Sequence, residues 1–265
     1  MTNTSIHTLQ DNTEGIVTKN SQPSQLCEES VKEGLVICLD KPLEWTSFNL
    51  VAKAKFPLQR RLHLKKLKVG HAGTLDPLAS GVMIICTGRA TKRIEEFQAH
   101  TKEYIATIQL GATTPSYDLE KEIDATYPTE HITREMVEKT LNRFKGRIEQ
   151  TPPAFSACKI NGKKAYDLAR AGKEVNLKPK VLVIDEIELL ECNLPTLKIR
   201  VVCSKGTYIR ALARDIGEAL QSGAHLTGLR RTRVGDIKDE NCLTVEELQQ
   251  WLDTVLPRTT IEEIK

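Results

Sequence analysis

The chain has 265 residues, of which 40% are hydrophobic and 5% aromatic, and its formal net charge is +3. This length suits one large domain or two small ones, and the apolar content permits a substantial core. The absence of a long apolar run near the N-terminus argues against a signal peptide or membrane span and predicts a cytoplasmic protein. The seven cysteines show neither a CxxC pair nor zinc-site spacing, which indicates incidental thiols in a reducing compartment.

The chain divides by composition into two tails and one folded region. Residues 1–30 are polar with little apolar periodicity, so we expect a flexible tail, then a folded domain over 31–256 and a short tail over 257–265. In chain order the periodicity predicts a strand over 34–39, a helix from Thr46 or Ser47 toward Lys55, and strands over 82–86 and 102–111. A helix from Thr133 through Phe144 and strands over 181–190 and 197–203 follow. The last predicted elements are a helix over 208–220, a strand over 228–234 and a helix after Thr244. Strands and helices mix without a regular βαβ rhythm, which favours an α+β fold.

The segment 70–81 cannot form a plain helix or strand. It reads Gly-His-Ala-Gly-Thr-Leu-Asp-Pro-Leu-Ala-Ser-Gly. Pro77 lacks a backbone donor and biases Asp76 away from the helical region, and the glycines permit turns and the close approach of another molecule. Asp76 is therefore predicted to stand on a rigid loop, which suits a functional acid.

Motifs for common cofactors are missing from the sequence. There is no GxxxxGK[ST] phosphate loop, no GxGxxG after a strand, no HExxH and no GxSxG elbow. We therefore expect no nucleotide cofactor and no metal, and chemistry carried by side chains alone.

Basic residues concentrate in three segments, although the net charge is low. Such clusters can follow the phosphates of a nucleic acid, while the plain alternative is a solvated surface. Three separate clusters favour a polyanionic partner. They comprise Arg60, Arg61, Lys65, Lys66 and Lys68, then Lys159, Lys163, Lys164, Arg170, Lys173, Lys178 and Lys180, and finally Arg230, Arg231 and Arg233.

Five segments, in order, resemble the motifs of the TruB family of tRNA pseudouridine synthases, in particular its stand-alone bacterial type. The resemblance covers about residues 34–250 and implies the pseudouridine synthase fold, a mixed and mostly antiparallel sheet flanked by helices. It also implies that residues 151–178 are an inserted RNA-binding thumb. The matching segments are 39–42, 70–81, 102–104, 203–210 and 226–231.

The resemblance implies that the chain isomerises uridine to pseudouridine at position 55, in the T-loop of tRNA, by base flipping and an essential aspartate. Asp76 would be the nucleophile or general base, and which atom it attacks stays open. Arg210 would pair with Asp76 and orient it, and Tyr104 would stack on the flipped base. The expected partner is the tRNA T-arm, with no obligatory protein partner.

Further site residues depend mainly on the resemblance. Tyr208 and Leu229 would line the substrate pocket, although each could equally be a core residue. His71 would fill the stack that the flipped nucleotide leaves, whereas an isolated histidine is more often structural or simply exposed. Lys41 and Pro42 would support the site from behind.

Many members of the family carry a C-terminal PUA domain, and we expect none in this chain. Two other hypotheses are a non-catalytic tRNA-binding or folding chaperone and a guide-dependent synthase. The combination of Asp76, Arg210 and Tyr104 favours an enzyme, because a chaperone needs basic patches but no such set.

Overall fold

The computed structural model describes residues 15–156, 158–160, 162–173 and 175–256. The strands are β1 Ile16–Val17, β2 Val36–Lys41, β3 Val69–His71, β4 Ala79–Thr87, β5 Lys102–Leu110, β6 Ala112–Thr113, β7 Ala125–Thr126, β8 Gly146–Gln150, β9 Lys159–Ile160, β10 Lys163–Lys164, β11 Lys180–Asn193, β12 Thr196–Cys203, β13 Ala224–Val234 and β14 Ile237–Lys238. The α-helices are α1 Glu28–Glu33, α2 Ser47–Arg61, α3 Ile94–Ala99, α4 Arg134–Arg143, α5 Ala165–Arg170, α6 Ile209–Ala219 and α7 Val245–Val255.

Among the described residues, ten strands form one sheet in which the order is β1-β2-β4-β13-β5-β12-β11-β8, with β3 on β4 and β14 on β13. The pairs β1–β2 and β4–β13 are parallel, and the other pairs are antiparallel. The predicted α+β class with a mixed, mostly antiparallel sheet is confirmed. Because β13 lies between β4 and β5, chain segments that are far apart in sequence meet at the middle of the sheet.

Two apolar clusters form the core. The larger one packs side chains of α2, α4, α6 and α7 with sheet residues such as Leu39, Met83 and Ile108. The smaller one gathers Cys38, Ile84 and residues near α3. Successive residues of a strand point to opposite faces, so neighbouring residues of β2 and β4 contribute to different clusters.

Several local predictions are confirmed. Burial alternates strictly along β5, as its period-two pattern requires. Thr46, Thr133 and Thr244 each cap a helix by accepting a hydrogen bond from the backbone N–H three residues on. The apolar spacing in α4 predicts a buried face made of Met136, Val137, Leu141 and Phe144. This prediction is wrong at Met136, which is exposed, while Val137 and Leu141 are buried.

Residues 15–30, which were predicted to belong to a flexible tail, are ordered in the structure. Within residues 15–30, β1 pairs with β2, α1 begins at Glu28, and the side chain of Leu26 is buried. The remaining part of the predicted tail, 1–14, lies outside the described residues. Composition pointed to disorder because these pieces are too short to show periodicity, and pairing with the sheet orders them.

Candidate active site

The segment 70–81 ends β3, forms a loop over 72–78 and begins β4, so only its middle is free of regular structure. The loop is held in place from α2. The hydroxyl of Ser47 donates to the Leu75 carbonyl oxygen at 3.0 Å and accepts from the Leu75 backbone N–H at 3.1 Å. The Ala79 N–H donates to the Asp76 carbonyl oxygen at 3.0 Å, which closes a tight turn around Pro77. Asp76 therefore stands on a braced loop, with its side chain 41% exposed.

A glycine brings this loop close to the middle of the sheet. Gly81 has a φ of +106°, and a Cβ added there would lie 2.1 Å from the carbonyl oxygen of Arg231 on β13. Only glycine fits so close an approach. Because β4 and β13 lie so near each other, the loop that precedes β4 stands beside the residues of β13 and β5.

Arg210, in the first turn of α6, holds the carboxylate of Asp76. Its Nε lies 2.9 Å from Asp76 Oδ2, and the arginine side chain is only 5% exposed. Its two other nitrogens donate to the carbonyl oxygens of Ser116 at 3.0 Å and Phe155 at 2.9 Å. Because two of its nitrogens donate to fixed backbone carbonyl oxygens, the guanidinium has one orientation, and its charge holds the Asp76 carboxylate beside Nε.

Sequence reasoning missed a second carboxylate at this site, that of Asp118. Its Oδ2 lies 3.7 Å from Arg210 Nε, and its side chain is 8% exposed. Its Oδ1 accepts from the Glu120 N–H at 3.0 Å. No local pattern marks Asp118, because it follows Tyr117 in an irregular loop and reaches Arg210 only through the fold.

Asp76 and Arg210 border a cavity of about 620 Å³. Volumes of this order are typical of sites that enclose one small ligand. Besides Asp76, four of the residues predicted for the site line this cavity. Lys102 and Arg231, which the sequence did not predict as site residues, line it too. The predicted lining residues are Tyr104, Tyr208, Leu229 and Arg210.

The two tyrosines give the cavity neutral walls. Tyr104 lies on β5 and is buried, and burial raises the pKa of its phenol. Burial also raises the pKa of Tyr208, whose hydroxyl lies 3.4 Å from the Cys158 sulfur. Both side chains therefore stay protonated at neutral pH, because a low-dielectric environment disfavours the phenolate.

Lys41 supports the loop from beneath and does not line the cavity. The side chain is fully buried at the end of β2, and its Nζ donates to the carbonyl oxygens of Trp45 at 2.7 Å, Pro42 at 2.9 Å and Pro77 at 3.4 Å. Burial lowers the pKa of Lys41 to about 8, and the charge of Asp76 partly opposes that shift. Lys41 thus links Pro42 and Trp45 to Pro77, the residue that follows Asp76.

His71 is not among the residues that line the cavity. It ends β3, where it pairs with Ile85, and it is partly buried. Burial lowers the pKa of its imidazole, so the ring is neutral at pH 7. The structure places it five residues before Asp76 on the same connection, and its predicted stacking role stays a prediction.

One of the three basic clusters is not a free surface. Arg230 binds Asp40 and Asp239, each at 2.8 Å. Arg231 is 2% exposed and donates to the Val82 carbonyl oxygen at 2.7 Å. Arg233 lies 3.5 Å from Glu103. These arginines hold β13 to its neighbours, so this segment does not offer the polyanion-binding patch that its sequence predicted.

The described residues contain no group of three or more His, Cys, Asp or Glu side chains placed to hold a metal ion. In the same part of the chain, no helix combines the length and apolar character that crossing a bilayer requires.

Comparison with known proteins identifies the family. Residues 60–209 match the model described as TruB family pseudouridylate synthase (N terminal domain). The chain belongs to the TruB family of pseudouridylate synthases. A second model, the tRNA pseudouridylate synthase B C-terminal domain, matches residues 210–261 of this TruB family member. The boundary between the two matches falls inside α6.

Relatives named tRNA pseudouridine synthase B resemble nearly the whole chain. The protein from Phocaeicola vulgatus is 74% identical over 233 residues, which cover 88% of this chain and 97% of that protein. The protein from Bacteroides fragilis is 76% identical over 222 residues, covering 84% and 95%. The family that the five sequence motifs suggested is therefore confirmed.

Solved structures support the fold. The archaeal box H/ACA sRNP Nop10-Cbf5 complex contains a chain with 30% identity and a TM-score of 0.59, and the match covers 84% of this TruB family member and 54% of that chain. A Cbf5-Nop10-Gar1 complex gives 30% identity and a TM-score of 0.62, with coverage of 86% and 60%. This chain thus spans little more than half the length of those proteins.

Proposed function

We propose that this chain isomerises uridine to pseudouridine at position 55, in the T-loop of tRNA, and that it does so in the cytoplasm without an obligatory protein partner. The observation that carries the proposal is the pair formed by Asp76 and the buried Arg210 at the edge of a 620 Å³ cavity that also displays Tyr104. Family membership supplies the reaction class.

The reaction rearranges a single nucleotide. The bond from N1 of uracil to C1′ of ribose breaks, the uracil rotates, and a bond forms from C5 to C1′. The C5 hydrogen leaves as a proton and N1 takes one up, so atoms and electrons balance within the substrate and solvent. A base inside a folded loop must leave its stack before these bonds can be reached. The ring of Tyr104 and the side chain of Leu229 then offer the base a stacking surface and an apolar wall.

Asp76 presents one oxygen to the substrate. Arg210 occupies Oδ2, and no group of the described residues donates a hydrogen bond to Oδ1. The free oxygen can attack the sugar or the base, or remove a ribose proton, and each role needs an ionised carboxylate. Arg210 fixes the direction from which the carboxylate approaches.

We assign the closing of the site over the T-loop to residues 151–178. Two observations support this role. The hairpin β9–β10 and helix α5 stand outside the main sheet, and the Phe155 carbonyl oxygen at their base accepts from Arg210. Movement of this thumb on RNA binding is therefore coupled through one hydrogen bond to the arginine that orients Asp76.

The test is Asp76→Asn, which keeps the shape of the side chain and removes its charge. We expect turnover to fall by more than about 10⁴-fold, as when a nucleophile is removed from an enzyme. Tritium release from a T-arm stem-loop with 5-tritiated uridine measures turnover, and fluorescence anisotropy with the same RNA measures binding, which should stay within a few fold. Asp236→Asn, at an exposed turn between β13 and β14, is the matched control.

Activity of a clean Asp76→Asn preparation at the wild-type level would contradict the proposed role of this residue. A wild-type chain that binds the stem-loop without releasing tritium would favour a tRNA chaperone. Activity that appears only after a guide RNA and protein partners are added would favour a guide-dependent synthase.

A further inference from the structure

Helix α2 exposes two aromatic side chains that the active site does not use. Phe48 is 74% exposed and Phe56 is 61% exposed, and Ala52 lies between them on the same side of the helix. The opposite side, with Leu50 and Leu58, is buried in the core. The outer side of a surface helix is normally polar, so two large rings displayed there indicate a binding surface.

A row of surface depressions joins this face to the catalytic carboxylate. Asp76, Leu43 and Glu44 line a second cavity, which Tyr104 does not line. Glu44 also lines the next depression, which extends along α2 to Phe56. Phe56 in turn lines a third depression, which reaches Arg60. The helix has 15 residues and is therefore about 22 Å long.

Helix α2 and the segment after it are rich in cations, and two of them, Lys53 and Arg60, line the depressions themselves. Glu44 is the one acidic residue between Leu43 and Lys68 in the sequence. Arg61 is paired with Asp253. The other lysines and arginines between positions 53 and 68 are exposed or half-buried. In the part of the chain that the structure describes, none of them forms a salt bridge. They are Lys53, Lys55, Arg60, Lys65, Lys66 and Lys68.

Exposed rings among free cations match the chemistry of unpaired nucleotides. Bases stack on the rings, and phosphates approach the lysines and arginines. Duplex RNA suits this surface less well, because its bases are already stacked on one another. Because α2 is about 22 Å long, one nucleotide flipped into the cavity beside Asp76 cannot also cover the far end of this face.

We propose that the outer face of α2, from Phe48 to Arg60, binds unpaired nucleotides of the tRNA that lie outside its T-arm. This inference rests on the proposed function, in which the T-loop enters the cavity beside Asp76. Ser47 and Glu44 connect the two sites, because both bond to the loop that carries Asp76. The Ser47 hydroxyl donates to the Leu75 carbonyl oxygen, and the Glu44 N–H donates to the Pro77 carbonyl oxygen at 2.8 Å. The enzyme thereby recognises two parts of one tRNA.

The experiment compares full-length tRNA with the isolated T-arm stem-loop for the double variant Phe48→Ala/Phe56→Ala. Removing each stacking ring weakens binding by about fivefold or more, so we expect the Kd for full-length tRNA to rise at least about 25-fold when both are removed. The Kd and turnover of the stem-loop should stay within twofold of wild type. Phe48→Tyr/Phe56→Tyr should keep full-length binding near wild type, since tyrosine also stacks. Met136→Ala, on the exposed side of α4, is the matched control.

Three results would overturn the inference. Equal losses of affinity for both RNAs would place the interaction within the T-arm. Unchanged binding of both RNAs would show that the face serves another partner, such as a protein. A loss for the tyrosine variant as large as for the alanine variant would exclude stacking. If wild type made no pseudouridine in either RNA, the proposed function would fail, whereas the difference in binding between the two RNAs would still decide the role of this face.

Discussion

Two groups of cations near the loop 72–78, which carries Asp76, differ in what they bind. Lys41, Arg210 and Arg231 are buried, and each donates to backbone carbonyl oxygens of other segments. The cations from Lys53 to Lys68, apart from Arg61, keep their donors free of carboxylates within the described residues. A buried charge needs fixed acceptors, so its side chain serves the fold, whereas an exposed charge can meet phosphates.

The comparison shows why charge density in a sequence is a poor guide to a binding surface. The segments 60–68 and 230–233 look alike as runs of basic residues. In the fold, the second is held by Asp40, Asp239, Glu103 and backbone carbonyl oxygens. The two segments differ because residues 230–233 find acceptors on neighbouring strands. The sheet topology decides where those acceptors lie.

Among the cations compared above, the largest effect is expected from Arg210→Met. Loss of the donor that fixes Asp76 should lower kcat on the stem-loop by about 10²–10³-fold, the usual result of removing one oriented charge-stabilising donor. Arg210→Lys should recover little activity, because one ammonium group cannot reach Asp76, Ser116 and Phe155 in the same planar arrangement. Steady-state kcat and KM check this, with Arg143→Met at the end of α4 as control. A kcat within tenfold of wild type would show that Asp76 does not need this partner.

A smaller effect, on stability, is expected from Lys41→Met. The folded-state pKa of about 8 is below the ordinary value of 10.5, so between these pH values the unfolded chain holds a proton that the folded chain has released. The free energy of unfolding therefore rises with pH in this window, by about 1 kcal/mol from pH 7 to pH 9. The variant lacks this contribution. Urea unfolding at both pH values should show the difference between wild type and variant growing by that amount.

Lys53→Met, on the outer side of α2, is the matched control variant for that experiment. A difference between wild type and Lys41→Met that does not change with pH would mean that Lys41 keeps its proton throughout.

The smallest effect on the folded protein is expected from replacing Lys65, Lys66 and Lys68 with alanine. Exposed cations without partners contribute little, so the free energy of unfolding should change by less than about 0.5 kcal/mol. The slope of log Kd for tRNA against log salt concentration should become shallower by about 0.9 for each phosphate that the variant no longer neutralises. Lys139→Ala/Lys145→Ala is the matched control. An unchanged slope would place these lysines outside the RNA interface.

Local patterns predicted much of the secondary structure. The alternation in β5 and the capping residues Thr133 and Thr244 act over a few neighbouring residues, so they can be read without the fold. The same approach failed for β1 and α1, which are too short to show a period and owe their order to neighbours in the sheet and core. The prediction that Met136 is buried was wrong, because apolar spacing does not reveal which positions of a helix face other elements.

By itself, the sequence determined the loop that carries Asp76 and the family to which the chain belongs, because proline, glycine and motif order are local properties. The tertiary structure alone decided which groups surround Asp76. Arg210 reaches a carbonyl oxygen 94 residues away at Ser116, Asp118 joins the same arginine, and Arg231 is buried while Lys65 stays exposed. Such partners are chosen by the packing of distant segments around β13, where burial makes every unmatched donor or charge costly.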